Sequence, residues 1–265
     1  LAYAMADRID QLAFLTLSGV AYTHKNNGGL RVASATAGHD LADLAFNSDV
    51  SGATTGRRLR WDENGGSQGY LVSSASTDDV AVEDKLNYRA IVELKAYAKD
   101  NYIRGIRGAG NQEVFHMFVT PQQMADLKLD TDFMANVRNA GVRGSANPLF
   151  AGASSIMVDG VMIHEFRHVY NTSGAATGDA SNVGAAGYKW GAAADVTGGR
   201  ALFCGAQALA MADIGLPEMV EDTFDYGNQA GISVGKIFGL RKPIYRSEIT
   251  AQVEDFGVIT LDTAQ

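Results

Sequence analysis

One cysteine, Cys204, stands in the whole chain, so an internal disulfide framework and a CxxC metal site are both excluded. Proline is nearly as scarce, with 4 residues among 265, while glycine reaches 30. Glycine at that density and without a repeating period predicts many turns and close backbone approaches rather than a fibrous repeat. Basic residues are in deficit: 22 Lys and Arg face 30 Asp and Glu, a net charge of -8. That balance argues against broad binding to a phosphate backbone, whose affinity comes from cations that release counterions. Arg57, Arg58 and Arg60 form the single tight basic cluster. Long apolar runs are missing too. The longest, 201–216, is broken by Gln207 and Asp213 and falls short of the roughly 20 residues of a membrane span. No signal peptide is visible, and the chain opens at Leu1 inside a helical pattern, which predicts a longer gene product. What remains is a folded composition, 46% apolar and 20% charged, long enough for one large domain or two ordinary ones.

Along the chain, 1–19 places Leu1, Met5, Ile9, Leu12 and Leu15 at helical spacing, with Gly19 as its stop. Segment 20–79 is rich in Gly, Asn, Ser and Asp and predicts long loops with short strands. Helical order resumes over 73–101, with Asp78 or Asp79 as N-cap and a stripe of Val82, Leu86, Ile91, Leu94 and Tyr97. A strand is expected at 113–120, followed by a helix over 120–130 with Thr120 as cap and Pro121 at its first position. Asp159-Gly160 between two apolar runs predicts a hairpin within 154–170. Residues 200–215 read as a buried helix of small residues, and 244–249 and 256–263 as strands. The class is α+β.

Three motifs carry catalytic overtones. His164-Glu165-Phe166-Arg167-His168 matches the HExxH zinc-peptidase pattern, which needs a helix so that both imidazoles reach one metal. Here the pentad follows the Asp-Gly turn and its flanks alternate as a strand. Four residues of strand separate the two histidines by about 13 Å, too far for a shared zinc. Gly231-Ile232-Ser233-Val234-Gly235 matches the nucleophile elbow, yet all five histidines precede Ser233, which excludes the hydrolase order Ser, acid, His. Gly235-Lys236-Ile237 fails as a phosphate loop in both its spacing and its last residue. Asn171-Thr172-Ser173 is a formal glycosylation sequon, and Cys204 reads as a small buried hydrophobe. No catalytic, cofactor or metal residue is assigned.

Several separated blocks fall in a familiar order. Val119, Pro121, Leu127 and Lys128 mark a strand entering a capped helix within 114–141. Asn-Pro-Leu-Phe-Ala-Gly opens 147–169, and 200–215, 224–245 and 255–263 follow. In that order they resemble the major capsid proteins of tailed bacteriophages. The resemblance implies the Hong Kong 97-like capsid fold. Residues 1–76 would then hold the end of a spine helix and connecting loops, 77–220 an axial domain, and 221–265 strands returning to a peripheral domain. The family's N-terminal arm and extended loop would lie upstream of Leu1. The implied function is a structural shell subunit, not an enzyme, that self-assembles as hexamers and pentamers and encloses DNA without sequence-specific binding. Scaffolding, portal or decoration proteins would be further partners, no membrane would be involved, and the place would be the virion after assembly in the host cytoplasm. The alternatives are an encapsulin-like cargo compartment with the same fold and, from another class, the HExxH metallopeptidase. Candidate intersubunit contacts are Arg57, Arg58 and Arg60, which could meet acidic neighbours, and the loops holding Gly105, Arg107 and Gly108 and 173–187.

Overall fold

The structure is a computed structural model and describes residues 2–31, 50–65, 69–73, 76–108, 112–140, 155–185, 187–248 and 251–265. The Asn-Pro-Leu-Phe segment at 147–152 lies outside the described residues.

Helix α1 (Ala2–Ser18) ends before Gly19, as its pattern predicts. After it come two short strands, β1 (Arg58–Asp62) and β2 (Tyr70–Ser73), then helix α2 (Tyr88–Asp100) and the two-residue β3 (Ile106–Arg107). Strand β4 (Glu113–Val119) shows the expected period of two: Phe115, Met117 and Val119 are buried while the residues between them are only half-buried. It runs directly into α3 (Pro121–Leu129). Thr120 Oγ1 accepts from the Gln123 amide at 3.2 Å, and Gln123 Oε1 accepts from the Thr120 amide at 3.0 Å, a reciprocal capping box with Pro121 behind it. Helix α4 (Thr131–Ala140) follows.

The hairpin forms where Asp159-Gly160 predicts it, between β5 (Ser155–Val158) and β6 (Val161–Glu165). Both turn residues have positive φ, 45° and 76°, the paired left-handed geometry of a type I′ turn. The remaining strands are β7 (Gly198–Cys204), β8 (Ala210–Asp213), β9 (Glu218–Phe224), β10 (Gln229–Gly235), β11 (Phe238–Arg241), β12 (Ile244–Arg246), β13 (Val253–Asp255) and β14 (Val258–Ala264).

One eight-stranded mixed sheet organises the chain, in the order β2-β1-β14-β7-β4-β6-β5, with β3 paired to β4. Helices α2, α3 and α4 supply Ile91, Leu94, Met124, Leu127 and Phe133 to a core that also holds Trp61, Phe115, Met117, Phe203 and Leu261. The opposite face takes α1, whose Leu17 and Phe14 meet Leu202, Cys204, Val258 and Phe118. Strands β7 and β14 are buried along their whole length, as central strands covered on both faces must be.

Two expectations are corrected. Residues 200–215 are strands β7 and β8, not a helix, because a run apolar on every side suits a doubly covered strand as well as a buried helix. Close packing explains a small residue there: a Cβ on Gly205 would stand 2.4 Å from the Arg104 carbonyl oxygen. Helix α2 starts at Tyr88 with Asn87 as its N-cap rather than near Asp78. The preceding segment is occupied elsewhere, since the Asp84 carboxylate accepts from the amides of Ala81 and Glu63 at 2.8 and 3.0 Å, and Val82 is exposed. The eight-stranded sheet takes strands from each of the segments 1–76, 77–220 and 221–265.

Candidate interaction surface

The arginine cluster sits on and beside β1, next to β14, and its partners lie within the chain. Arg57 is 1% exposed; its Nη2 pairs with Glu254 at 2.9 Å and donates to Tyr245 Oη at 2.7 Å. Arg60 donates to the Asp79 carbonyl at 2.8 Å and pairs with Asp84 at 3.6 Å. Arg58 pairs with Asp262 at 3.1 Å, and the same carboxylate receives the buried Arg200 at 2.6 Å. Arg200 also lies over the rings of Tyr170 and Trp190 and donates to the Ser18 carbonyl, which ties α1, β7 and β14 together. The expectation that acidic neighbours outside the chain meet these arginines is therefore corrected for Arg57 and Arg60: both are buried among their own carboxylates.

The zinc-peptidase pentad is not helical. Strand β6 holds it through Glu165, and the chain then turns at Arg167 and His168. Its two histidines face different partners. His164 Nε2 lies 2.9 Å from His116 Nδ1 on the neighbouring β4, the rings stacked at 11°, while His168 Nε2 meets Asp7 at 2.7 Å. Burial, and then the nearby His116, hold the His164 imidazole below its ordinary value. The His116–His164 pair is a feature that the sequence reading misses, because neither residue's spacing along the chain reveals that β4 and β6 are parallel neighbours. Among the described residues no group of three His, Cys, Asp or Glu side chains is placed to hold a metal. Ser233 lies on β10, an extended strand as its flanks predict, and Cys204 is buried in β7 with its thiol pushed up to about 12 by desolvation.

The surface that stands out is elsewhere. Strands β8 and β11 form an antiparallel pair, and beyond them β9 and β10 form a second. All of 210–224 is exposed, including Met211, Ile214, Leu216, Met219, Val220 and Phe224, which are 48–93% exposed. The β9–β10 register puts Met219 opposite Val234 and Glu221 opposite Ile232 on one face, and Val220 opposite Ser233 on the other. Both faces thus carry apolar groups beside the carboxylates of Glu218, Glu221 and Asp222. Isolated two-stranded ribbons are marginal in water, so one with exposed apolar faces needs a partner surface. Glu218–Phe224 reads Glu-Met-Val-Glu-Asp-Thr-Phe without alternation, so its pattern alone does not say that neither face is covered.

At the root of this ribbon, against α1, lies a cleft of about 870 Å³. Its wall includes Leu12, Tyr22, Met211, Ile237, Phe238 and Leu240, and its charged residues are Arg8, Lys236 and Arg241. Lys236 is paired with Asp213 at 2.8 Å. Around β3, which pairs with β4, Arg107 and Gly108 are exposed and Gly105 half-buried, with the Gly105 amide donating to Glu113 at 2.8 Å. The loop 173–185 is largely exposed yet pinned, through Gly174 to Asn27 and Gly178 to Ala194. No helix among the described residues is long and apolar enough to cross a membrane.

Comparison with known proteins places these surfaces in context. A family model described as phage capsid protein matches residues 3–265. The major capsid protein of Pseudomonas phage KPP25 is 50% identical over all 265 residues, and the chain spans 66% of that relative's length. Two solved structures share the fold. The capsid of Ralstonia phage GP4 has 23% identity and a TM-score of 0.61, over 98% of this chain and 64% of that one. The cyanophage Pam1 capsid asymmetric unit has 17% identity and a TM-score of 0.65, over 100% of this chain and 67% of that one.

Proposed function

The chain belongs to the phage capsid protein family, and from that membership we propose that it is the shell-forming part of a major capsid protein. The observation that carries the reading is the 50% identity to a major capsid protein sustained over the whole chain. The exposed ribbon supports it independently, since a subunit that tiles a closed shell must offer different faces to its neighbours, and heterologous contacts of that kind generate rings and curved arrays.

On this reading the subunit works by binding copies of itself, as hexamers and pentamers, and not by catalysis. The Hong Kong 97-like assignment is part of the proposal: α1 is the end of the spine helix, and the eight-stranded sheet with α2, α3 and α4 is the axial domain. That domain then includes β1, β2 and β14 as well as strands from 77–220. The net charge of -8 suits a wall that encloses DNA without gripping particular sequences. The shell assembles in the host cytoplasm and ends in the virion, with scaffolding, portal or decoration proteins as accessory partners. The loop holding Gly105, Arg107 and Gly108 serves as a contact near the capsomer axis, and the half-covered Arg58 as a minor one.

Expression of the full-length gene product tests the reading. Negative-stain microscopy is expected to show uniform closed particles, and sedimentation a matching megadalton-class boundary. A product that stays monomeric across concentration and salt would overturn it.

A further inference from the structure

The ribbon and the cleft at its root are complementary in polarity and charge. The ribbon carries apolar groups on both faces and is acidic: Glu218, Glu221 and Asp222 are exposed on β9. The cleft is concave and mostly apolar, and among the described residues its charged lining is Arg8, Lys236 and Arg241, with no carboxylate. Arg8 and Arg241 form no ion pair among the described residues.

A ribbon cannot fill its own root. Strands β8 and β11 form one wall of the cleft and lead within a few residues into β9 and β10. Seven paired residues extend for about 23 Å from that wall at roughly 3.3 Å per residue, and folding back would break the register from Glu218–Gly235 to Phe224–Gln229. Two ribbons pairing symmetrically edge to edge through β9 are also disfavoured, because that would set the carboxylates of one β9 against those of the other. What satisfies both surfaces is an exchange in sequence, the ribbon of one copy in the cleft of the next.

Resting on the capsid reading, we propose that the β9–β10 ribbon of one subunit docks in the cleft between α1 and β8–β11 of a second copy of this chain. Met219, Val220 or Ile232 fill the apolar floor, and Glu221 and Asp222 meet Arg8 and Arg241. The contact is heterologous, so each subunit gives one ribbon and receives another, and the chain of contacts closes only when the ring does.

Charge exchange in the full-length protein tests this. Glu221→Lys with Asp222→Lys should slow assembly, followed by light scattering, at least about tenfold, and Arg8→Glu with Arg241→Glu should do the same. Joining all four changes should restore the rate to within about threefold, because the pairing is re-made with reversed sign. As a readout independent of rate, a photo-crosslinking amino acid at position 220 should join its subunit to peptides holding Arg8, Leu12 or Phe238 of another. If the wild-type protein forms shells while the ribbon variant assembles equally fast, or the cross-links map to another surface or to the same chain, the docking is wrong and the capsid reading stands. If the wild-type protein forms no oligomer, both fall.

Discussion

Asp262 shows how much a single side chain holds here. Its carboxylate, 2% exposed, receives Arg200 at 2.6 Å and Arg58 at 3.1 Å, and through Arg200 it reaches the end of α1 and two aromatic rings. Removing one partner of a buried ion pair strands the other charge, at a cost of about 3–5 kcal/mol. Asp262→Ala should therefore lower stability in chemical denaturation steeply, whereas Arg89→Ala, which breaks a half-buried helical pair, should lower it by less than about 0.5 kcal/mol. Titration of His164 is a second residue-scale effect. Its folded value is depressed, so the neutral ring is the form the fold favours, and its stabilisation is present above the ordinary imidazole value near 6.5. That contribution is lost as the pH falls below this point and through the lowered folded value. The chain should lose stability on acidification from neutrality, and His164→Gln should flatten the slope in that range of a pH series of urea melts. Neither residue was legible beforehand. Asp262 and Arg200 are 62 positions apart, His116 and His164 48, and only the sheet order brings each pair together.

Among the elements, those written in local chemistry were legible: the capping box of α3, the Asp-Gly hairpin, the alternation of β4. Each depends on residues within a few positions of one another. The start of α2 and the state of 200–215 depend instead on distant partners, Glu63 for the first and β14 with β4 for the second. Breaking the α3 cap by Thr120→Ala removes the Gln123 amide's acceptor and that of Gln265 Nε2 at 2.7 Å, and should destabilise by about 1–2 kcal/mol in chemical denaturation. Gly198→Ala should be worse. Its Cβ would meet the buried Trp190 ring, and β7 lies too deep in the sheet to move aside, so a soluble protein with a markedly lowered thermal midpoint, or none, is expected.

For the whole molecule, the question is which parts serve the subunit and which serve its neighbours. The eight-stranded sheet and its two covering layers bury the core, and the ribbon beyond β8 and β11 adds nothing to it. Replacing 214–237 by an Asn-Gly turn would join Asp213 to Phe238, which already face each other, through a two-residue hairpin. The shortened chain should keep its thermal transition within a few degrees and fail to form shells, as read by calorimetry and sedimentation. The candidate arginines were legible as a cluster but not as an interior one, because burial of a charge depends on partners such as Glu254 and Asp262 that fold in from the other end of the chain.

The parallel pairing of β1 with β14 has a temporal side. Arg58 finds its partner Thr260 only after about 200 further residues have been made, and contacts so remote in sequence form slowly. During synthesis the β1–β2 hairpin therefore waits for β14, with Arg60 served by nearby Asp79 and Asp84 but Arg57 and Arg58 still without Glu254 and Asp262. Since β14 is also the last strand of the chain and lies between β1 and β7, the sheet closes only when synthesis is nearly finished.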